Sequence, residues 1–320
     1  MNNIVKLVPI IVTYNRLEKL KIAVNTWLKT DIYKLVIVNN ASTDDTKSYL
    51  EKISKENNKL VVINLEKNTG GAGGFYKGIE YAFKEIDFDW IVLQDDDAYP
   101  DVDSINYFLN EKDLSTADAY MSAVYYPSGK ISLMNMPGYL PFKTFKQSLK
   151  TMIQVGKGFH IDKNLYYLEE EHIVDFASFV GLFIKKEVIE KVGLPKKEFF
   201  IYGDDIEYTV RITKSGFKIK FDPKLRFFHD CETLHFDKRK IYKPLWKAYF
   251  TYRNGIILYK QLSGKLFPLV LLNKMLIWTL NGLFYSNKTD YYKLLWKSII
   301  DGIKENTQDN AEIINKFNKL

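Results

Sequence analysis

One cysteine in 320 residues, Cys231, excludes an internal disulfide framework and fits a reducing compartment. Uninterrupted apolar runs long enough to span a membrane are absent too. Leu266 to Tyr285 comes nearest, and Asn273, Lys274 and Asn281 break it. A lysine near the middle of a span costs about 2.5–3.5 kcal/mol. The expectation there is a helix lying on a membrane or packed in a subunit interface, rather than one crossing a bilayer. The opening residues, Ile4 to Val12, form an interrupted apolar run that reads as a first strand, not a signal peptide. Internal repeats and low-complexity stretches are lacking. Acidic residues are missing from one long segment: between Asp237 and Asp290 there are none, against ten basic ones. Taking those ten from the 46 basic residues leaves 36 against 39 acidic, so the net charge of +7 belongs to that C-terminal segment alone. Its partner is expected to be anionic: membrane headgroups, a lipid-linked phosphate or nucleic acid.

What is present is a chain rich enough in apolar (46%) and aromatic (15%) residues to exclude disorder, and long enough for one large domain or two ordinary ones. Leu7–Thr13 reads as a strand, and residues 16–30 carry helical spacing through Leu17, Leu20, Ala23, Val24, Trp27 and Leu28. Strands follow at 34–38, 60–65 and 90–93, with helices at 44–55, capped by Ser42 or Thr43, and at 73–85. This strand–helix–strand rhythm predicts an α/β fold with a mostly parallel sheet covered on both faces. After the fourth strand the pattern loosens. Residues 129–158, with Pro137, Gly138, Pro141 and Gly156, read as a surface excursion. From about Tyr242 the chain reads as helical and aromatic.

Trp90-Ile91-Val92-Leu93-Gln94 ends in Asp95-Asp96-Asp97. Three carboxylates at the exit of a buried strand repel one another unless a cation sits between them, and an Asp-x-Asp pair suits a hard divalent ion that also holds phosphate oxygens. A turn or helix cap is the competing reading, since Asp favours both and Pro100 follows. Ligands in open α/β sheets bind at the carboxyl ends of strands. The other exits are Thr13-Tyr14-Asn15-Arg16, Asn39-Asn40-Ala41-Ser42-Thr43-Asp44 and Asn68-Thr69-Gly70-Gly71-Ala72-Gly73-Gly74. All are small, polar or charged. The glycine run lacks both the dinucleotide-binding spacing, having Tyr76 at the sixth place, and the Gly-Lys-Ser/Thr of a phosphate loop. Hydride transfer and nucleotide hydrolysis lose ground accordingly. A nucleotide whose phosphates are held by a metal on aspartates remains.

In order and spacing these segments resemble the family 2 glycosyltransferases, whose nucleotide-sugar-binding fold is called GT-A. The matching residues are Ile10 to Arg16, Val38 to Asp44, Asn68 to Phe75, Gln94 to Asp97, Tyr202-Gly203-Asp204-Asp205-Ile206-Glu207-Tyr208 and Phe228-His229. They run across roughly residues 8–230. Within the family, the glycine-rich and Asp-Asp-Asp segments look most like bacterial galactofuranosyltransferases, with rhamnosyltransferases next. The resemblance implies a GT-A domain over 1–230, carrying donor and acceptor sites, and a basic, aromatic helical region over 231–320. It implies Asp95, Asp97 and His229 as ligands of Mn²⁺ or Mg²⁺, with a ligating imidazole favouring manganese. Asp96 would shape the site or touch ribose. Thr13, Asn15, Arg16, Asn39, Asn68, Gly70, Gly71 and Gly73 would bind the donor. Many members have Asp where this chain has Asn39, which can still read a uracil or thymine edge. Asp205 matches the catalytic base, with Asp204 its adjacent rival and otherwise on the acceptor side with Phe176 and Phe179. Glu207 reads as a structural helix residue.

The activity implied is metal-dependent, inverting transfer of a sugar to a glycan or lipid-linked glycan in cell-surface polysaccharide synthesis. UDP-galactofuranose is the first donor and dTDP-rhamnose the alternative. The basic aromatic stretch from Tyr242 to Lys260 has the composition of an interfacial helix, so an anionic membrane surface and a peripheral place on the cytoplasmic face of the plasma membrane are expected. A homo-oligomer is the other use for that surface. A nucleic-acid binder would leave the aspartates and the glycine run unexplained and carries no familiar motif. A nucleotidyltransferase would place its glycine-rich basic loop directly after the first strand, and a non-catalytic nucleotide-sugar binder would have lost Asp205.

Overall fold

The structure, a computed structural model, describes residues 5–142, 148, 151, 159–231, 241–308 and 310–317. Lys238, Arg239 and Lys240 of the basic stretch, and Gly156 of the expected excursion, lie outside the described residues. The chain falls into two compact units. The first comprises Met1–Tyr139, His160–Lys197 and Asp205–Glu232, the second Leu140–Phe159, Glu198–Asp204 and Thr233–Leu320.

The first unit opens with β1 (Leu7–Thr13), α1 (Leu17–Trp27), β2 (Leu35–Asn39), α2 (Thr46–Glu56), β3 (Leu60–Asn64), α3 (Gly70–Glu85) and β4 (Trp90–Asp95). Every residue of β1 and β2 is buried, as continuous β-branched and leucine runs require in a strand covered on both faces. These strands lie in the order β3-β2-β1-β4, all parallel. Register sets Thr13 beside Asn39 and Val12 beside Asp95, so the polar exits line up at one edge of the sheet.

The chain continues through β5 (Ala98–Pro100), α4 (Val102–Asn110), β6 (Ala119–Tyr125), β7 (His172–Val174), β8 (Leu182–Lys185), α5 (Lys186–Val192), α6 (Asp204–Lys214) and β9 (Ile219–His229). Beyond β4 the order is β8-β6-β9-β5, with β7 also on β9. Here only β6 and β9 run parallel; β8 is antiparallel to both β4 and β6, and β5 and β7 are antiparallel to β9. The sheet is therefore mixed, parallel throughout its first four strands. Pro223 sits inside β9 because the β6–β9 register jumps from Asp222 to Arg226, a bulge that spares its missing N–H from the ladder.

Two local expectations change. Helix α3 begins at Gly70, three residues before the expected start, so most of the glycine run is the helix's first turn. Neither Ser42 nor Thr43 caps α2; the Thr46 N–H instead donates to Asp44 Oδ1 at 3.2 Å. Part of the expected surface excursion is interior. Asn135 and Met136 are buried, and Gly138 bridges to Phe176.

The second unit is helical: α7 (Trp246–Ser263), α8 (Phe267–Asn281), α9 (Lys288–Lys304) and α10 (Asn310–Phe317). Tyr249, Tyr252, Tyr291, Leu294 and Trp278 form its core, with the Tyr252 and Trp278 rings stacked 4.5 Å apart. Residues Glu198–Asp204 belong to this unit. Phe200, Tyr202 and Gly203 all take positive φ there, a backbone that L side chains adopt at a cost. The loop is held by α7. Asn254 Nδ2 donates to the carbonyls of Phe199, Ile201 and Tyr202 (2.8–3.0 Å), and buried Arg253 donates to those of Glu198 and Phe199 (3.1–3.2 Å).

Candidate active site

The exits of β1 to β4 are tied together by short polar side chains. Thr13 Oγ1 donates to Asp96 Oδ2 at 2.8 Å, joining the first exit to the fourth. The N–H of Thr43 donates to Asn15 Oδ1 at 2.7 Å, and that of Asn15 to Ser42 Oγ, joining the first to the second. Asn40, buried and absent from the predicted site, joins the second to the third: Oδ1 accepts from the Thr69 N–H at 2.9 Å, and Nδ2 donates to the Gly70 carbonyl at 3.0 Å. Asn68 Oδ1 accepts from the Gly70 N–H. The four exits thus form one wall.

On that wall the aspartates do two different things. Asp96 turns to Thr13 and to the Tyr14 N–H. Asp95 and Asp97 offer oxygens that, with a ring nitrogen of His229, all lie within 4.8 Å of one another. The helix-cap reading of the triplet fails, because Asp101 caps α4 through the N–H groups of Asp103 and Ser104. His229 arrives at the end of β9, opposite Ala98 on β5. Its Nε2 lies 3.1 Å from Asp97 Oδ1, while Nδ1 is 2.8 Å from Asn135 Oδ1. Two carboxylates and an imidazole whose far nitrogen is held by an amide oxygen are a sound donor set for a divalent cation. Arg16 adds counter-charge to the pair beside it: its Nη1 reaches Asp97 Oδ2 at 2.5 Å and Asp96 Oδ1 at 3.4 Å.

The description Glycosyl transferase family 2 matches residues 10–175, more than half of the chain. The chain belongs to glycosyltransferase family 2. It is 25% identical over 284 residues to the galactofuranosyltransferase GlfT1 of Mycolicibacterium smegmatis, covering 81% of this chain and 85% of that protein. A shorter match, 32% identical over 82 residues, is to the poly-β-1,6-N-acetyl-D-glucosamine synthase of Staphylococcus aureus, and takes in 26% of this chain and 19% of the synthase. Among solved structures, S. aureus TarS 1-349 in complex with UDP-GlcNAc superposes with a TM-score of 0.57 at 16% identity, over 94% of this chain and 82% of that one. GalNAc-T7, crystallised with UDP, GalNAc and Mn²⁺, superposes with a TM-score of 0.57 at 12% identity, over 99% and 59%. The fold is the GT-A fold with a C-terminal helical region, and the protein is a glycosyltransferase.

In this family 2 enzyme the surroundings shift the carboxylates in different directions. Burial pushes Asp95 up to about 6, with the Asp97 charge adding to it, and Asp96 up to about 7 against the pull of Arg16. Asp97 goes the other way. Burial opposes its charge, but His229 and Arg16 outweigh that and hold it below the ordinary carboxylate range. His229 is raised in turn: burial disfavours its cation, and the Asp97 carboxylate overcomes that. Burial also pushes Asp205, at the start of α6, up to about 6 against its bond from the Ile206 N–H, and the Asp205 charge acts on Asp95. A cation between Asp95 and Asp97 would offset the burial and mutual repulsion that raise Asp95.

The remaining predicted residues fall in varied places. Asn39 is buried, its Nδ2 donating to Asn64 Oδ1 at 2.8 Å and its Oδ1 accepting from the Ser42 N–H, so its amide shapes the second exit. Only Gly70 of the glycine run needs positive φ. A Cβ on Gly73 would lie 2.5 Å from Thr69, and one on Gly74 2.4 Å from Val12 Cγ1, so these two let α3 sit tightly on its surroundings. Gly71 faces open space. Phe176 and Phe179 are core residues, Phe179 packing edge-on against Phe75 and Tyr208, and neither offers an exposed ring. Asp204 is buried. Glu207, also buried, pairs with Arg211 and Lys196 and supports α6. Sequence reasoning missed Asn135 and Asn40. Asn40 stood inside a quoted motif, whereas Asn135 had no local signal at all.

Proposed function

We propose that this enzyme is a metal-dependent, inverting galactofuranosyltransferase. It takes galactofuranose from UDP-galactofuranose and transfers it to a glycan or lipid-linked glycan in cell-surface polysaccharide synthesis. The observation that carries this reading is the cluster of Asp95, Asp97 and His229, with Asn135 on the far side of the imidazole. That donor set fits Mn²⁺ or Mg²⁺, and the imidazole favours manganese. A cation held there supplies positive charge that stabilises the departing diphosphate. The likeness to a galactofuranosyltransferase over 81% of the chain supports the choice of sugar; dTDP-rhamnose is the alternative donor.

Asp205 is the base. It takes the proton of the acceptor hydroxyl as that oxygen bonds to the anomeric carbon and the bond to the diphosphate oxygen breaks, inverting the centre. With a pKa of about 6 it is ionised at neutral pH yet more basic than an ordinary aspartate, which suits general-base work. Asp204 is the adjacent alternative and otherwise belongs to the acceptor side, which Phe176 and Phe179 shape from within the core. Asp96, Thr13, Asn15, Arg16, Asn39, Asn68, Gly70, Gly71 and Gly73 form the donor side, with the open space at Gly71 available to phosphate oxygens. The enzyme works at the cytoplasmic face of the plasma membrane.

The test is donor hydrolysis by the full chain with UDP-galactofuranose, dTDP-rhamnose and UDP-GlcNAc in turn. The expected result is fastest nucleotide release from UDP-galactofuranose, abolished by EDTA and restored by Mn²⁺. Faster release from dTDP-rhamnose would shift the donor. Turnover indifferent to chelator would overturn the metal cluster.

A further inference from the structure

Helix α8 has two unlike sides. Val270 and Trp278 are buried, and Lys274, the charge that interrupts the apolar run in sequence, turns inward with Nζ 5.0 Å from the Tyr259 ring centroid. Burial lowers the pKa of that amine. On the opposite side Leu269, Leu272, Leu276 and Leu280 fall within an arc of about 80° at 3.6 residues per turn. Leu283 and Phe284 extend the row through the 3₁₀ turn Gly282–Phe284, and all six side chains are between 52% and 66% exposed. Scattered exposed leucines are ordinary, but a continuous row is an interaction surface.

We propose that this row docks α8, lying in the membrane plane, into the headgroup region of an anionic bilayer. The charge pattern selects this partner. The row carries no charge, exposed Lys265 and Lys288 flank its two ends, and no acidic residue occurs from Lys238 to Thr289. A second copy presenting the same face would bring lysines toward lysines, whereas anionic headgroups answer them. Geometry selects the in-plane pose. By length and composition Trp246–Phe284 could cross a membrane. However, Gly264 takes φ +51 between α7 and α8, and α7 is committed to the core of its unit through Tyr249, Tyr252 and Arg253. The 15 residues of α8 reach about 22 Å, short of a hydrocarbon core of about 30 Å. An apolar side with cations at its rim is the pattern of an interfacial helix. This docking does not depend on which sugar the enzyme transfers.

Co-sedimentation of the full chain with vesicles tests it. Wild type is expected to pellet with phosphatidylcholine vesicles containing phosphatidylglycerol, and much less with phosphatidylcholine alone. Leu272→Glu/Leu276→Glu should lower partitioning on the order of a hundredfold. Lys265→Gln/Lys288→Gln should remove about tenfold, all of it from the anionic vesicles. Both variants should keep the wild-type melting temperature and donor hydrolysis. Three results would each overturn the proposal: wild type remaining in the supernatant, equal pelleting with both vesicle types, or Leu272→Glu/Leu276→Glu binding like wild type. A concentration-dependent dimer that Leu272→Glu/Leu276→Glu dissolves, with no vesicle binding, would reassign the row to a contact between copies.

Discussion

On the β3-β2-β1-β4 side of the sheet all strands run parallel, and the exits contribute Thr13, Asn15, Asn40, Asn68 and the three aspartates, all within the first hundred residues. On the β8-β6-β9-β5 side the directions are mixed, and the contributions are few and distant: His229 from the end of β9 and Asn135 from the 3₁₀ turn Leu133–Asn135. The first side supplies negative charge and close backbone. The second supplies an imidazole and the amide oxygen that orients it. The proposed cation site thus draws on both sides, although the carboxylates that announce it come from one.

The largest expected effect lies outside both sides, at the base. Asp205→Asn should lower kcat by about 10²–10⁴-fold while leaving donor affinity nearly unchanged. Steady-state kinetics alongside UDP-binding calorimetry checks this, and lost affinity with retained turnover would make Asp205 a donor ligand instead. Next comes Asn135→Ala, which tests whether the distant side matters. Removing the oxygen that holds His229 Nδ1 should weaken Mn²⁺ binding by about 10–100-fold. If titration of Mn²⁺ by paramagnetic resonance finds the affinity unaltered, Asn135 does not set how His229 presents its nitrogen.

A smaller effect is expected from pH. Burial raises Asp205 from the ordinary 3.8 to about 6, and the proposed base acts in its ionised form. The rate should therefore hold above that value and fall about tenfold per unit below it. A profile flat down to pH 5 would remove Asp205 from the role. The smallest effects separate two glycines within α3. A Cβ on Gly78 would sit 2.4 Å from Ile10 Cγ2 and 3.1 Å from Val38 Cγ2, so Gly78→Ala should cost about 1–3 kcal/mol of stability by thermal unfolding. Gly71→Ala meets nothing within 4 Å and should leave stability unchanged or slightly improved, raising KM for the donor instead. Equal melting losses in both would mean that Gly71 too is a packing glycine.

The same division governs how much could be read in advance. From β1 to β4 the elements follow one another at helical and strand periods, and each predicted boundary lies within three residues of the observed one. The errors there were local. The early start of α3 was hidden because glycine disfavours helix interiors, whereas here close approach to Val12 and Ile10 outweighs that preference. Beyond β4 the strands β5 and β7 are three residues long and β8 four, too short for alternation to register. β9 is long but interrupted by Pro223, which argues against a strand until the bulge is seen. Asn135 could not be found at all, since proline and glycine nearby imply a loop and nothing local implies that the loop turns inward. His229 and Asp205 were identified through family resemblance. The physics of their own segments would not have singled them out.

The loop held by Arg253 and Asn254 bears on how this protein can be cut or recombined. A chain ending after β9 would keep the three proposed cation ligands, the proposed donor wall and Asp205 itself. It would lose the donors that hold the carbonyls of Glu198, Phe199, Ile201 and Tyr202, in a stretch that already bears three left-handed residues and leads straight into α6. Truncated versions should bind nucleotide and metal yet transfer poorly, and chimeras between relatives should exchange α7 together with the segment it grips. Because α7 shares its core with α8 and α9, the piece to exchange is the whole helical unit with residues 198–204, and the end of the sheet is not a seam.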